Sequence, residues 1–255
     1  MTTDHTTRPG VKSDETLVSI LAHLRDSDGA GVTELANRLG LAKSTVHDHL
    51  VTMGEHGLVV KDGETYRLGL EFFNYGQAVR TRFPVYEAAM GVVDDLAAAT
   101  GEMAWLTTPE NGRVMFVHGD AGETDINVNT ILGSWAYMHC NSSGKAILAH
   151  YDAHGVDAVV DRWGLPAQTA NTITDRDALD EELEQIRERG YALNQGEDLE
   201  GIHAIGVPVR YENEVQGALA VAGPAHRVTR ERCESELVDK LVAAVNDVEV
   251  NLAYA

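Results

Sequence analysis

The chain has 255 residues, 44% of them hydrophobic, and a formal net charge of −20 from 40 Asp and Glu against 20 Lys and Arg. That length supports one large or two ordinary domains with their own cores, and the apolar content excludes a disordered chain. No run approaches the roughly 18 apolar residues of a membrane span, the polar start MTTDHTTRPG is no signal peptide, and only two cysteines, Cys140 and Cys233, are present. Widely spaced cysteines suit a reducing compartment, so the expectation is a cytoplasmic protein with no membrane partner.

The acidity is unevenly placed. Residues 1–83 hold 11 acidic against 9 basic side chains, whereas residues 84–255 hold 29 against 11. The first part is therefore nearly balanced and compatible with a polyanion partner, and the second is not. Only 5 of the 20 basic residues are Lys, which beside so many carboxylates suggests a halophilic protein from a salt-rich cytoplasm. At molar salt the Debye length falls to about 3 Å, so long-range repulsion from DNA would be largely screened.

In chain order, residues 1–13 read as a flexible polar tail in which Arg8 and Lys12 could meet a nucleic acid. Asp14 is placed to cap a helix over 15–25, whose Leu17, Ile20, Leu21 and Leu24 make a core stripe. After a loop at 26–31, Val32, Leu35, Ala36 and Leu39 recur at helical spacing, and Gly40 stands where a helix end needs positive φ. A second helix opens at Lys43, with Val46, Leu50 and Met53 inward and Lys43, Ser44, Thr45, His47, Asp48 and His49 outward. Such a pair is a helix-turn-helix or an ordinary hairpin of packed helices. Extended runs at 58–61 and 65–68 then flank Asp62-Gly63, a hairpin signal in which both residues tolerate positive φ. Helix, helix-turn-helix and hairpin in that order predict a winged helix over 14–69, with DNA as its partner.

The run AKSTVHDHLVTMGEHGLVV with the later YRLG resembles the N-terminal domain of the IclR family of transcriptional regulators, and Lys43, Ser44, Thr45, Val46, Leu58, Val59, Tyr66, Leu68 and Gly69 fall in step with it. Asp48 and His49 depart from it, standing where the family usually has a basic and an apolar residue. An acid at that place repels phosphate, and accepts from a cytosine amino group or faces solvent. The candidate DNA contacts are Thr33, Lys43, Ser44, Thr45, His47, Asp48, His49, Lys61, Tyr66 and Arg67.

Residues 70–83 read as a linker helix with Leu70, Phe73 and Ala78 on one face, which suits a dimer seam or packs on its own domain. Pro84 marks the boundary of a second domain over 84–255. Its pattern predicts a helix over 85–100 ended by Gly101, and a hairpin of 103–107 and 113–117 around Pro109-Glu110-Asn111-Gly112. It further predicts a weak strand at 126–131, and a helix from Asn141 or Ser142 to about Tyr151. Helices at 156–162 and 177–188, strands at 191–194, 202–209 and 215–222, and one long closing helix over 230–250 complete the expectation. Strands in hairpins with helices segregated around them make the fold α+β with an antiparallel sheet, not a βαβ nucleotide fold.

This second part is also similar to the GAF-like effector-binding domain of the IclR family, on HCNSSGKAILAH, GYALNQGEDLEGIHAIGVPV and GALAVAGP. The resemblance implies a small-molecule pocket between the helix opening at Ser142 and the following strands. By position it implicates Ser142, Ser143, Asn194, Gln195, Ala204, Ala220 and Ala222. Free N–H groups at that helix start suit a carboxylate or phosphate, whereas Ala220 and Ala222 make the pocket more apolar than in relatives. SSGK lacks the spacing of a phosphate loop, since Ala146 follows Lys145.

The implied function is a regulator of metabolic genes that binds a promoter operator in double-stranded DNA as a homodimer or homotetramer. It would answer a sugar- or carboxylate-derived metabolite, without cofactor, metal or catalytic residues. The competing reading is a small-molecule enzyme or metabolite-binding protein whose winged helix docks proteins. Its best material is His118, His139, Cys140 and His203, as a thiol nucleophile with a base or as a zinc site. A structural chromatin protein is disfavoured by the acidity of residues 84–255.

Overall fold

The computed structural model describes residues 10–124 and 126–254. The chain divides into two compact units between Arg82 and Phe83.

The first unit begins with α1, Lys12–Asp26, which buries Ile20 and Leu24. Its N-cap position is Val11 with no side-chain cap, so the helix starts earlier than Asp14, which lies in the first turn beside Glu15. There the acids face the positive end of the helix dipole without closing an amide. Helices α2, Val32–Leu39, and α3, Lys43–Glu55, follow. Gly40 has φ +66°, and the Leu41 amide donates to the Ala36 carbonyl, the six-to-one bond that turns the chain out of a helix. The hairpin of β1, Val59–Asp62, and β2, Thr65–Leu68, pairs Asp62 with Thr65. The turn is therefore Gly63-Glu64, one residue later than expected, and within it only Gly63 takes positive φ.

The wing is tied to the body by a third piece of chain. Ala30 and Tyr66 exchange both backbone hydrogen bonds, at 3.0 and 2.9 Å, so the α1–α2 connection extends the hairpin into a small sheet. Gly29 makes this approach feasible. Its φ is +115°, and a Cβ there would meet the Tyr66 carbonyl oxygen at 2.9 Å. Ile20, Leu24, Leu35, Ala36, Val46, Leu50, Met53, Val59 and Tyr66 close one core. Helix α4, Glu71–Arg80, ends the unit and buries none of its residues.

The second unit opens with α5, Pro84–Thr100, stopped by Gly101 at φ +69°. Its strands are β3, Met103–Glu110; β4, Arg113–Asp120; β5, Trp135–Tyr137; β6, Ala192–Gln195; β7, Ile202–Tyr211; and β8, Glu214–Pro224. They form one antiparallel sheet in the order β5-β4-β3-β8-β7-β6. Residues 126–131 hold a single 3-10 turn, Val128–Thr130, instead of the expected strand; the Asn127 side chain accepts from the Asn129 amide, a local bond that competes with a ladder. The remaining helices are α6, Ser142–Leu148; α7, Ala153–Trp163; α8, Arg176–Arg189; α9, Arg230–Arg232; and α10, Val238–Ala253. The closing helix is not continuous: a π turn, Cys233–Leu237, joins α9 to α10. At that join Arg227 and Arg232 grip the buried Glu102 carboxylate from both oxygens, at 2.6 and 2.7 Å.

Strand alternation divides the sheet's two faces. Leu193, Ile205, Val207, Val209, Leu219 and Val221 pack toward α5 and α10. The intervening residues face α6, with α7 and α8 completing that side: Ala192 and Ala218 join Ile147, Leu148, Val156, Leu179, Leu183 and Ile186 in a second core. No helix among the described residues is long and apolar enough to cross a membrane.

Candidate functional site

In the first unit, the buried stripe of Val46, Leu50 and Met53 fixes the rotation of α3. Lys43, Ser44, Thr45, His47 and Asp48 consequently stand in solvent, His49 is half-buried, and Thr33 is exposed on α2. The residue before α3 is Ala42, which supplies no side-chain cap, so the first-turn amides are not closed by one. His47 and Asp48 lie 3.7 Å apart and largely balance each other when the imidazole is charged. The wing residues divide differently from the rest. Lys61 is exposed, with its Nζ 5.6 Å from the Tyr66 ring centroid. Tyr66 itself is 8% exposed and belongs to the core. Arg67 donates to Asp62 at 2.8 Å and to the Asp28 carbonyl at 3.2 Å, so its guanidinium braces the wing.

In the second unit a cavity of about 460 Å³ lies on the α6 face of the sheet. Cross-strand pairing explains its floor, because Trp105 sits opposite Ala220, and Ala222 lies between Met103 and Ala204. Three alanines on adjacent strands leave a hollow where larger side chains would fill the face. Trp105 and Phe116 meet edge to face at 5.2 Å and form one wall. The opposite wall is the start of α6, brought onto the sheet at Gly206, where a Cβ would lie 2.8 Å from the Ser142 carbonyl carbon.

Six of the seven residues implicated by sequence, Ser142, Ser143, Asn194, Ala204, Ala220 and Ala222, line this cavity together. Gln195 does not. The next residue along β6 from Asn194, it lines a separate 170 Å³ recess with Lys145, Glu182 and Glu197. The sequence reading missed Asn141 and Asp198, which also line the cavity. Asn141 is the cap of α6: its Oδ1 accepts from the amides of Ser143 and Gly144 at 3.0 and 3.3 Å, and its carbonyl accepts from the Lys145 amide. The N–H groups expected to receive an anion are thus largely occupied. Burial pushes the Asp198 carboxyl above the usual carboxylate range, against hydrogen bonds from Asn141 and Cys140.

The residues of the enzyme reading are dispersed into separate roles. His118 pairs with Asp94 at 2.9 Å, His139 lies 3.2 Å from the Pro166 carbonyl, and His203 lies 3.1 Å from that of Val228. Cys140 is fully buried, and burial together with Asp198 and Glu197 pushes its thiol up to about 12, the opposite of an activated nucleophile. Among the described residues no three His, Cys, Asp or Glu side chains converge to hold a metal ion.

An outward-facing helix after a tight turn, a braced wing and a separate sensor-like unit are matched as a whole by known proteins. Residues 77–250 match the family model described as bacterial transcriptional regulator IclR C-terminal, and residues 17–63 match the IclR helix-turn-helix domain. The chain belongs to the IclR family. It is a DNA-binding transcriptional regulator with a ligand-binding domain, and its relatives are regulators, not enzymes. It is 30% identical to a probable HTH-type transcriptional regulator ArcR of Halobacterium salinarum, covering 93% of this chain and 92% of that one. It is 31% identical to the HTH-type transcriptional regulator BhcR of Paracoccus denitrificans, over 96% and 88% of the two chains. The crystal structure of the Thermotoga maritima IclR protein superposes with a TM-score of 0.79 at 28% identity, over 95% of this chain and 98% of that one.

Proposed function

We propose that this IclR-family regulator binds a promoter operator through α3 and its wing, and controls metabolic genes in the cytoplasm in response to a small organic effector held in the cavity beside α6. The observation that carries the effector reading is the cavity's combination of size and polarity. A hollow of about 460 Å³ is within the ordinary range for small-molecule sites, and a few polar groups converge on its otherwise apolar lining. The operator reading rests on the exposed first turn of α3, where Lys43 meets phosphate and Ser44 and Thr45 meet base edges or backbone. Thr33, His47, Asp48, His49 and Lys61 flank that turn as secondary contacts.

The proposal is tested by filling the hollow. Ala222→Phe, at a partly exposed floor position, is expected to leave operator affinity within about twofold while abolishing the transcriptional response to the inducing growth condition. A variant that still responds normally in a reporter strain places the effector elsewhere. Chromatin occupancy of the native chain supplies the operator and the controlled genes.

The same reading assigns a homodimer, or a homotetramer built from dimers, to α4. Leu70 is 89% exposed and Phe73 67%, neighbours three positions apart that a second copy would cover. Phe73→Glu is expected to shift the mass measured by light scattering toward the monomer and to weaken operator binding at least tenfold. A variant that keeps the wild-type mass removes α4 as the seam.

A further inference from the structure

The cavity's polar groups are unusual for a site expected to take an acid. Among the described residues on its wall, Asp198 is the single ionisable one, and no Lys, Arg or His is present. The amides of Ser143, Gly144 and Lys145 are taken by Asn141. What remains is different in kind. Ser143 is 1% exposed, yet its Oγ has no hydrogen-bond partner. Among the described residues, Asp198 receives two long contacts, from Asn141 Nδ2 at 3.4 Å and from Cys140 Sγ at 3.8 Å, so both oxygens retain accepting capacity. The Asn141 carboxamide accepts from the Ser143 amide and donates to Asp198, and Ser143 and Asp198 line the same cavity.

We propose that the cavity binds an uncharged ring compound carrying a hydroxyl group, an alcohol or a phenol, whose O–H donates to Asp198 and accepts from Ser143 while the ring lies against Trp105, Phe116 and the alanine floor. This rests on the cavity being the effector site. A buried hydroxyl left without a partner is costly, and a ligand that completes it recovers that cost. One ligand hydroxyl satisfies both protein groups, because it is a donor and an acceptor at once. A carboxylate ligand would put a second acid beside Asp198 with no cation in the lining, so that one of the two must hold a proton and the ligand binds at the cost of taking one up. An ammonium ligand could pair with Asp198 but brings three donors and nothing for the Ser143 O–H to donate to.

The test uses the full chain and four para-substituted toluenes in isothermal titration: 4-methylphenol, p-xylene, 4-methylbenzoate and 4-methylbenzylamine. The phenol is expected to bind at least tenfold more tightly than each of the others. Ser143→Ala should weaken the phenol about fivefold or more and leave p-xylene within twofold. Asp198→Asn should cut the preference for phenol over benzoate to under threefold. Operator binding by each variant serves as the control for folding. Tighter binding of the benzoate or the benzylamine, or equal binding of phenol and xylene, overturns the class. Phenol binding that survives Ala222→Phe unchanged, or the absence of binding by every probe, overturns the cavity as an effector site and the class with it.

Discussion

Replacing Ser44 and Thr45 together by alanine is expected to lower operator affinity at least thirtyfold while leaving the melting temperature within about 2 °C. Both side chains are exposed in the first turn of α3, and the buried contacts of that helix belong to Val46, Leu50 and Met53. Neither hydroxyl caps the helix, because the cap position is Ala42, and alanine is the better helix former. The fold therefore loses nothing, and the loss falls on the DNA complex. A good contact to a base edge discriminates by about 1–3 kcal/mol, so two of them correspond to roughly thirtyfold or more at fixed salt. Lys43→Ala behaves differently if it neutralises phosphate: binding weakens on operator and random duplex alike, and the salt slope falls by about one. Fluorescence anisotropy on both duplexes across a salt series separates the two. Unchanged operator affinity for the double variant at matched salt would remove α3 as the reading helix.

Much of the first unit is legible because its signals are local. Apolar residues at helical spacing define α2 and α3, Gly40 sits where positive φ is needed, and the Gly-containing turn marks the wing. The features that the sequence does not reveal are made by chain far away. Tyr66 reads as a wing-tip contact, yet its backbone pairs with Ala30 and its ring enters the core. Arg67 reads as a cation for phosphate, yet Asp62 and Asp28 hold it. Nothing in the spacing of positions 28, 62 and 67 announces that meeting.

The second unit shows the same division. Its hairpins are visible in the strand pattern, but the sheet's middle pair, β3 with β8, joins residues more than a hundred positions apart. That pairing sets Met103 and Trp105 against Ala222 and Ala220, and so brings the aromatic wall to the alanine floor that β7 and β8 share. Asn141 was legible as a helix cap. Its consequence was not, since closing those amides removes the anion site that the same helix start suggests. Asp198, four residues past Asn194 in the loop after β6, reaches the cavity only because that loop folds back toward α6. No periodicity reports a fold of that kind. Six of the seven residues named from the family resemblance line one cavity, but the chemistry of its wall is set by contacts that the resemblance does not carry.

Lys145→Met is expected to destabilise the second unit by about 3 kcal/mol, at the lower end of the range for breaking a buried ion pair. For a unit of this size that corresponds to a fall of about 6–12 °C in melting temperature. The Lys145 side chain is 1% exposed and reaches from α6 to Glu197 at 2.6 Å and Glu182 at 3.5 Å. Glu182 keeps Arg189 at 2.8 Å when the lysine is lost, so the uncompensated charge is that of Glu197. Burial already pushes the Glu197 carboxyl upward, with Lys145 opposing that push, and without the lysine the ionised form has no counter-charge. The loss extends to the cavity, because the Glu197 amide donates to Asn194 Oδ1 at 2.8 Å and thereby fixes a wall residue. Adding Glu197→Gln to Lys145→Met removes the stranded charge, keeps an acceptor for the Gln195 amide, and should restore about half of the lost stability. Differential scanning calorimetry of the wild type, both single variants and the double variant gives the coupling directly. If the double variant is as unstable as the two single losses added together, Lys145 acts through packing alone and the pair is not the strut between α6 and the loop after β6. If the coupling is present, the cavity wall at Asn194 and the seating of α6 are linked through one buried contact, and variants at Lys145 are expected to shift affinity for the proposed effector as well as stability.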